Sequence, residues 1–113
     1  MSYKIYQMKE TNRDNWTYQF MGWEFAQKHS FSISDYEVTY EGDRVTYKNG
    51  DECKAPDTAL EILFTIFNIH RPHDFKGHSL SVSDVVELTI DGKTDFYYCD
   101  SFGWERITES LAA

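Results

Sequence analysis

"DVVELTIDGKTDFYYC", residues 84–99, decides the fold. Two strand-like runs flank Asp91-Gly92-Lys93, and Asp-Gly between such runs signals a β-hairpin, because both positions tolerate positive φ. Val86, Leu88 and Ile90 share one face of the first arm; Phe96 and Tyr98 share one face of the second. Upstream, "TALEILFTIFNIH" (58–70) repeats apolar residues at helical spacing through Leu60, Leu63, Phe64 and Phe67. Ile62, Ile66 and Ile69 widen the stripe, which predicts a helix buried on most sides. Thr58 and Glu61 have capping-box spacing, Pro56 lies just before them, and Pro72 ends the helix.

Working outward, "YEVTYEGDRVTYKNGD" (36–51) reads as another hairpin, with Tyr36, Val38 and Tyr40 in one arm and Val45 and Tyr47 in the other. "YKIYQM" (3–8) is a first strand. "WTYQF" (16–20) alternates like a strand, and "WEFAQKH" (23–29) reads as a short helix. "DSFGWERI" (100–107) turns into a last short strand, and "TESLAA" is a fraying tail. The prediction is one α+β domain over 1–113. It has a small, mostly antiparallel sheet of roughly four to six strands, packed on one main helix, with a second short helix.

Length and charge narrow the function classes. With 113 residues there is one core. Nineteen acids against eleven bases give a net charge of −8. That balance disfavours phosphate-backbone binding, so no direct contact with duplex DNA is expected. The acids concentrate on folded segments: residues 35–61 carry eight acids against three bases, and 84–109 carry seven against two. Such charge steers toward a basic surface, or simply serves solubility. Cys53 and Cys99 lack CxxC spacing, no signal peptide is expected, and no apolar run approaches the roughly 20 residues of a membrane span. A cytoplasmic protein without membrane association is expected.

The polar loop offers candidate chemistry. His70, His73, Asp74 and His78 carry metal-binding groups, but H-x2-H-x4-H across a proline is not a zinc-site spacing. Ser79, Ser81 and Ser83 lie near His78 without a G-x-S-x-G elbow. The local reading of "SVSD" (81–84) is that Ser and Asp side chains bind nearby backbone groups, with Asp84 fixing the turn into the next strand. Cys99, with no cation nearby in sequence, reads as a packed thiol. No catalytic, cofactor or metal residue is assigned, and the protein is expected not to be an enzyme.

"FNIHRPHDFKGHSLSVSDVVEL" (67–88) and "YYCDSFGWERI" (97–107) closely resemble the YodL-like domain family of phages and mobile elements in Gram-positive bacteria. The shared pattern is FN-x-x-RP-x-DF-x-GxSLSVSDVV, then a hairpin, then Y-x-DS-x-GF, with Trp104 here in place of the last Phe. "YKIYQ" (3–7) resembles the family's opening strand, and the resemblance is strongest over 60–107. His70 and His73 stand outside the pattern, and the 67–88 stretch as a whole reads as a fold-defining loop.

Some members are similar to inhibitors of type II CRISPR nucleases, and the resemblance implies a non-enzymatic anti-defence protein. Its partner would be such a nuclease or another host defence protein, engaged through acidic and aromatic surface so that guide-RNA or DNA loading is blocked. The expected partner-binding residues are Asp35, Glu37, Glu41, Asp43, Asp51 and Glu52 on the expected hairpin and its immediate flanks, with Trp16 and Trp23 as anchors. The alternatives are an interaction module for phage replication or conjugation and, further off, a His-dependent metal hydrolase. Aromatic strands such as "DFYYC" offer edges for a homodimer.

Overall fold

The computed structural model describes residues 1–9 and 17–111. Five strands form one antiparallel sheet: β1 (Ser2–Met8), β2 (Tyr36–Gly42), β3 (Val85–Ile90), β4 (Lys93–Cys99) and β5 (Trp104–Arg106), in the order β2-β1-β3-β4-β5. The main helix α2 (Pro56–Ile69) and the short helix α1 (Trp23–Lys28) complete the α+β architecture. Single 3-10 turns at Ile33–Asp35 and Thr108–Leu111 lead into β2 and follow β5.

The Asp-Gly turn forms as expected. Ile90 pairs with Lys93, so the loop is two residues, and Asp91 (φ 51°) and Gly92 (φ 80°) both take the left-handed conformation. In the hairpin, Val86 lies opposite Tyr97 and Leu88 opposite Asp95, whereas Val85 lies opposite Tyr98 and Glu87 opposite Phe96. The apolar sets noted on the two arms therefore point to opposite faces of the sheet, and both faces are buried.

One face carries Tyr3, Ile5, Val86, Leu88 and Tyr97 and packs on Ala59, Leu60, Leu63 and Phe67 of α2. The other carries Met8, Tyr36, Val85 and Tyr98 and packs on Tyr18, Trp23 and Ala26. Trp23 lies 4.9 Å from Phe31 and 5.1 Å from Tyr98, ring centre to ring centre. The sheet is thus covered by α2 on one side and by an aromatic layer around α1 on the other, in keeping with the expected α+β sheet with one main helix and a second short one.

Five local expectations are corrected. Residues 36–47 do not form a hairpin: β2 pairs with β1, and Thr46 makes only an isolated bridge with Glu52. Pairing with β1 lets Tyr40 stack beside Tyr3, while Val45 leaves the sheet margin to be buried with Cys53 against α2. A bulge at Thr39 then puts Tyr36 and Tyr40 on opposite faces, because Val38 pairs with Tyr6 and Tyr40 with Ile5.

The helix α2 begins at Pro56, with Ala55 as its N-cap and no side-chain cap, so the Thr58–Glu61 box is not formed. It is buried along one face only; Phe64 is 38 % and Ile69 70 % exposed. The segment expected as a strand over 16–20 is a turn across its described part, with Phe20 at φ 66°, a value incompatible with strand geometry. Beyond β5, the Thr108 hydroxyl accepts from the Phe96 N–H, which fastens residues 108–111 to β4 instead of leaving a fraying tail.

Candidate functional site

The loop from His70 to Asp84 closes around one buried carboxylate. Asp84 is 2 % exposed. Its Oδ2 accepts from the Ser81 N–H at 2.8 Å and from Gln7 Nε2 at 3.0 Å, and its own N–H donates to the Ser81 carbonyl at 3.0 Å. The second Gln7 donor bond reaches the His78 carbonyl at 2.8 Å. His78 Nε2 stands 4.0 Å from Asp84 Oδ1. Burial pushes the Asp84 carboxyl up to about 7, against the opposing pull of His78, Gln7 and the Ser81 N–H.

The neighbouring serines are used in the same structural way. The Ser81 hydroxyl donates to the Ser79 carbonyl at 2.8 Å. Ser83, at φ 84°, accepts the Phe20 N–H on its hydroxyl and the Tyr36 hydroxyl on its carbonyl. Its N–H donates to the Cys99 carbonyl, and the Cys99 N–H donates to the Asp84 carbonyl. "SVSD" is therefore a clasp joining the 17–22 turn, β2 and the end of β4, and Asp84 fixes the turn as its sequence context indicated.

A pH effect follows from Asp84. Its folded value lies above the ordinary 3.8, so between about 4 and 7 the folded protein holds a proton that the unfolded chain has lost. Stability from this group falls as pH rises through that window, by up to about 4 kcal/mol. Asp84→Asn should show a flatter dependence than the parent, measured as urea midpoints at about pH 4.5 and about pH 7.5. Parallel curves for the two proteins would contradict this account of Asp84.

Of the loop histidines, only His78 joins this network; His70 caps the end of α2 through its backbone and His73 is exposed. Among the described residues, no group of three or more His, Cys, Asp or Glu is placed to hold a metal ion. Burial pushes the Cys99 thiol up to about 12, and Cys53 donates to the Ala55 carbonyl, so both thiols are packed groups.

The acidic residues distribute unevenly. Glu37, Glu41 and Asp43 are exposed on β2 and just beyond it. Asp35 is half-buried and accepts the Tyr18 hydroxyl at 2.6 Å. Glu52 accepts the Met1 ammonium at 3.1 Å, and Asp51 is fixed in a turn by Asn49. Lys4 lies 3.7 Å from Glu41, whereas Glu37 and Asp43 have no ion pair among the described residues. The six carboxylates thus resolve into an outward-facing set on the β2 margin and a set engaged in local structure.

The aromatic anchors are differently placed. Trp23 is buried and holds α1 on the sheet, so it presents no ring to solvent; Trp16 lies outside the described residues. Among the described residues the most exposed rings are instead Phe102, at 97 %, and Phe20, at 59 %, ahead of Tyr47 and Phe64, with Met21 beside Phe20. The 20–22 turn meets the 100–103 turn where the Trp23 N–H donates to Asp100 Oδ1 and the Tyr98 hydroxyl donates to the Met21 carbonyl. Phe102 was legible as a turn-tip residue inside D-S-F-G, with Gly103 at φ 80°.

The family model described as "YodL-like domain" matches residues 2–109, which carries the resemblance well beyond 60–107. No curated protein and no solved structure matches the chain.

Proposed function

The chain belongs to the YodL-like domain family, and from that footing we propose that it is a non-enzymatic anti-defence protein that inhibits a type II RNA-guided nuclease. It would occupy the nuclease's basic guide or DNA channel and hinder loading. The observation that carries this reading is the outward set Glu37, Glu41 and Asp43 on the margin of the sheet, in a chain of net charge −8. Acidic groups fixed on a rigid strand complement a basic channel, raise the association rate and discriminate against acidic competitors. The occurrence of the family on phages and mobile elements, implied by the resemblance, supplies the setting.

The triple variant Glu37→Lys, Glu41→Lys, Asp43→Lys tests the surface. All three side chains are exposed, so the fold should persist, with an unchanged circular dichroism spectrum. Affinity for the nuclease should fall by about 100-fold or more, and the parent's binding should weaken steeply with salt. Full binding by the reversed protein would remove the acidic margin from the account. It would favour the second reading, an interaction module for phage replication or conjugation. That reading draws on the exposed Phe20 and Met21 in the 20–22 turn and Phe102 in the adjoining 100–103 turn, apolar side chains suited to a charge-independent protein partner.

A further inference from the structure

We propose that β2 is a docking edge that receives an extended, basic segment of a partner protein as a sixth strand. This rests on the acidic-margin reading above and specifies how that margin is used. Among the described residues, β2 is bonded to β1 alone, so its outer side presents a row of backbone donors and acceptors over seven residues. The other margin does not compete. β5 has only three residues, and its Arg106 is engaged by Asp95 and Glu109.

Side chains along β2 select the occupant. Glu37 lies opposite Gln7 and Glu41 opposite Lys4, so the bulge at Thr39 places one carboxylate on each face of the margin. Val38, 43 % exposed, stands between them as an apolar contact. Beside the strand runs a shallow groove of about 480 Å³ lined by Val38, Tyr40, Glu41, Asp74 and Lys76 among others. A second copy of this chain is a poor occupant, because pairing two β2 strands would set two acidic margins, each carrying Glu37 and Glu41, edge to edge, and their like charges repel. The same carboxylates favour a strand carrying Lys or Arg beside short apolar residues, in the mode of β-strand addition. The "DFYYC" strand expected to mediate dimer formation lies inside the sheet as β4, paired on both sides.

The test uses the full chain and two synthetic probes: a peptide alternating Lys and Val, and the same peptide N-methylated at two consecutive central residues. Methylation at consecutive positions keeps the charge but blocks both edges of the peptide strand. Binding is followed by fluorescence anisotropy at low salt, with backbone amide exchange of residues 36–42 as the structural readout. The expected result is at least about a tenfold weaker binding of the methylated peptide, with slowed exchange on β2 for the unmethylated one only. Equal binding of both peptides, without protection of β2, would overturn strand addition while leaving the acidic margin as a charge surface. Binding of neither would overturn strand addition and the acidic-margin reading together.

Discussion

Phe67→Ala should lower the unfolding free energy by about 3–5 kcal/mol, the range for emptying a fully buried aromatic site. Phe67 has no exposed surface and joins three separate parts of the chain. Its ring lies 6.3 Å from Tyr3 on β1, 5.1 Å from Tyr40 on β2 and 4.9 Å from Phe75 in the loop after α2. Removing it opens a cavity whose walls are held by the sheet and cannot close fully. A domain of this size has only about 5–15 kcal/mol in total, so the loss is a large fraction. Phe64→Ala, one position before a full turn on the same helix, removes a ring that is 38 % exposed and should cost about 1 kcal/mol or less. Urea denaturation separates the two. Equal costs would mean that α2 does not bury the face described.

Gly77→Ala, the smallest side-chain addition available, should cost about 2–4 kcal/mol. A Cβ at position 77 would overlap Gln7 Oε1 and come within 2.9 Å of Gln7 Cδ and 3.1 Å of Phe75 Cε1. Gln7 has little freedom to yield. It is 1 % exposed, and its amide nitrogen donates to both Asp84 and the His78 carbonyl. Moving it would strand buried donors and acceptors in the clasp. The cause is checked by repeating the substitution in a Gln7→Ala background. There the added methyl meets a shortened side chain, and the cost of Gly77→Ala should shrink markedly. Additive costs in the double variant would place the damage elsewhere.

These two residues mark the boundary of what the sequence discloses. Phe67 was legible, because it sits in a helical apolar repeat where position alone predicts burial. The Asp91-Gly92 turn was legible for a similarly local reason, as was the role of Asp84 beside its two serines. Gln7 was not. A single glutamine in an alternating strand reads as a solvent-facing residue, and its burial depends on a loop 71 residues away in sequence. The pairing of β2 with β1 was hidden for the same reason. Strands distant in sequence carry no turn chemistry that announces them, and the Thr39 bulge reverses the face on which Tyr40 falls. Trp23 misled in the other direction, since an aromatic residue in a short helix is equally suited to a contact surface or a second core. The outward carboxylates Glu37, Glu41 and Asp43 were identifiable by composition, whereas their gathering on an open sheet margin required the topology.

The central claim is inhibition through that margin, and a target-DNA cleavage assay with a type II RNA-guided nuclease tests it most directly. The protein is added either before or after the guide RNA, with the triple Lys variant run alongside. The account predicts loss of cleavage when the parent protein meets the empty nuclease first, and restored cleavage with the variant. Unimpaired cleavage in both orders of addition, across several type II nucleases, would contradict it.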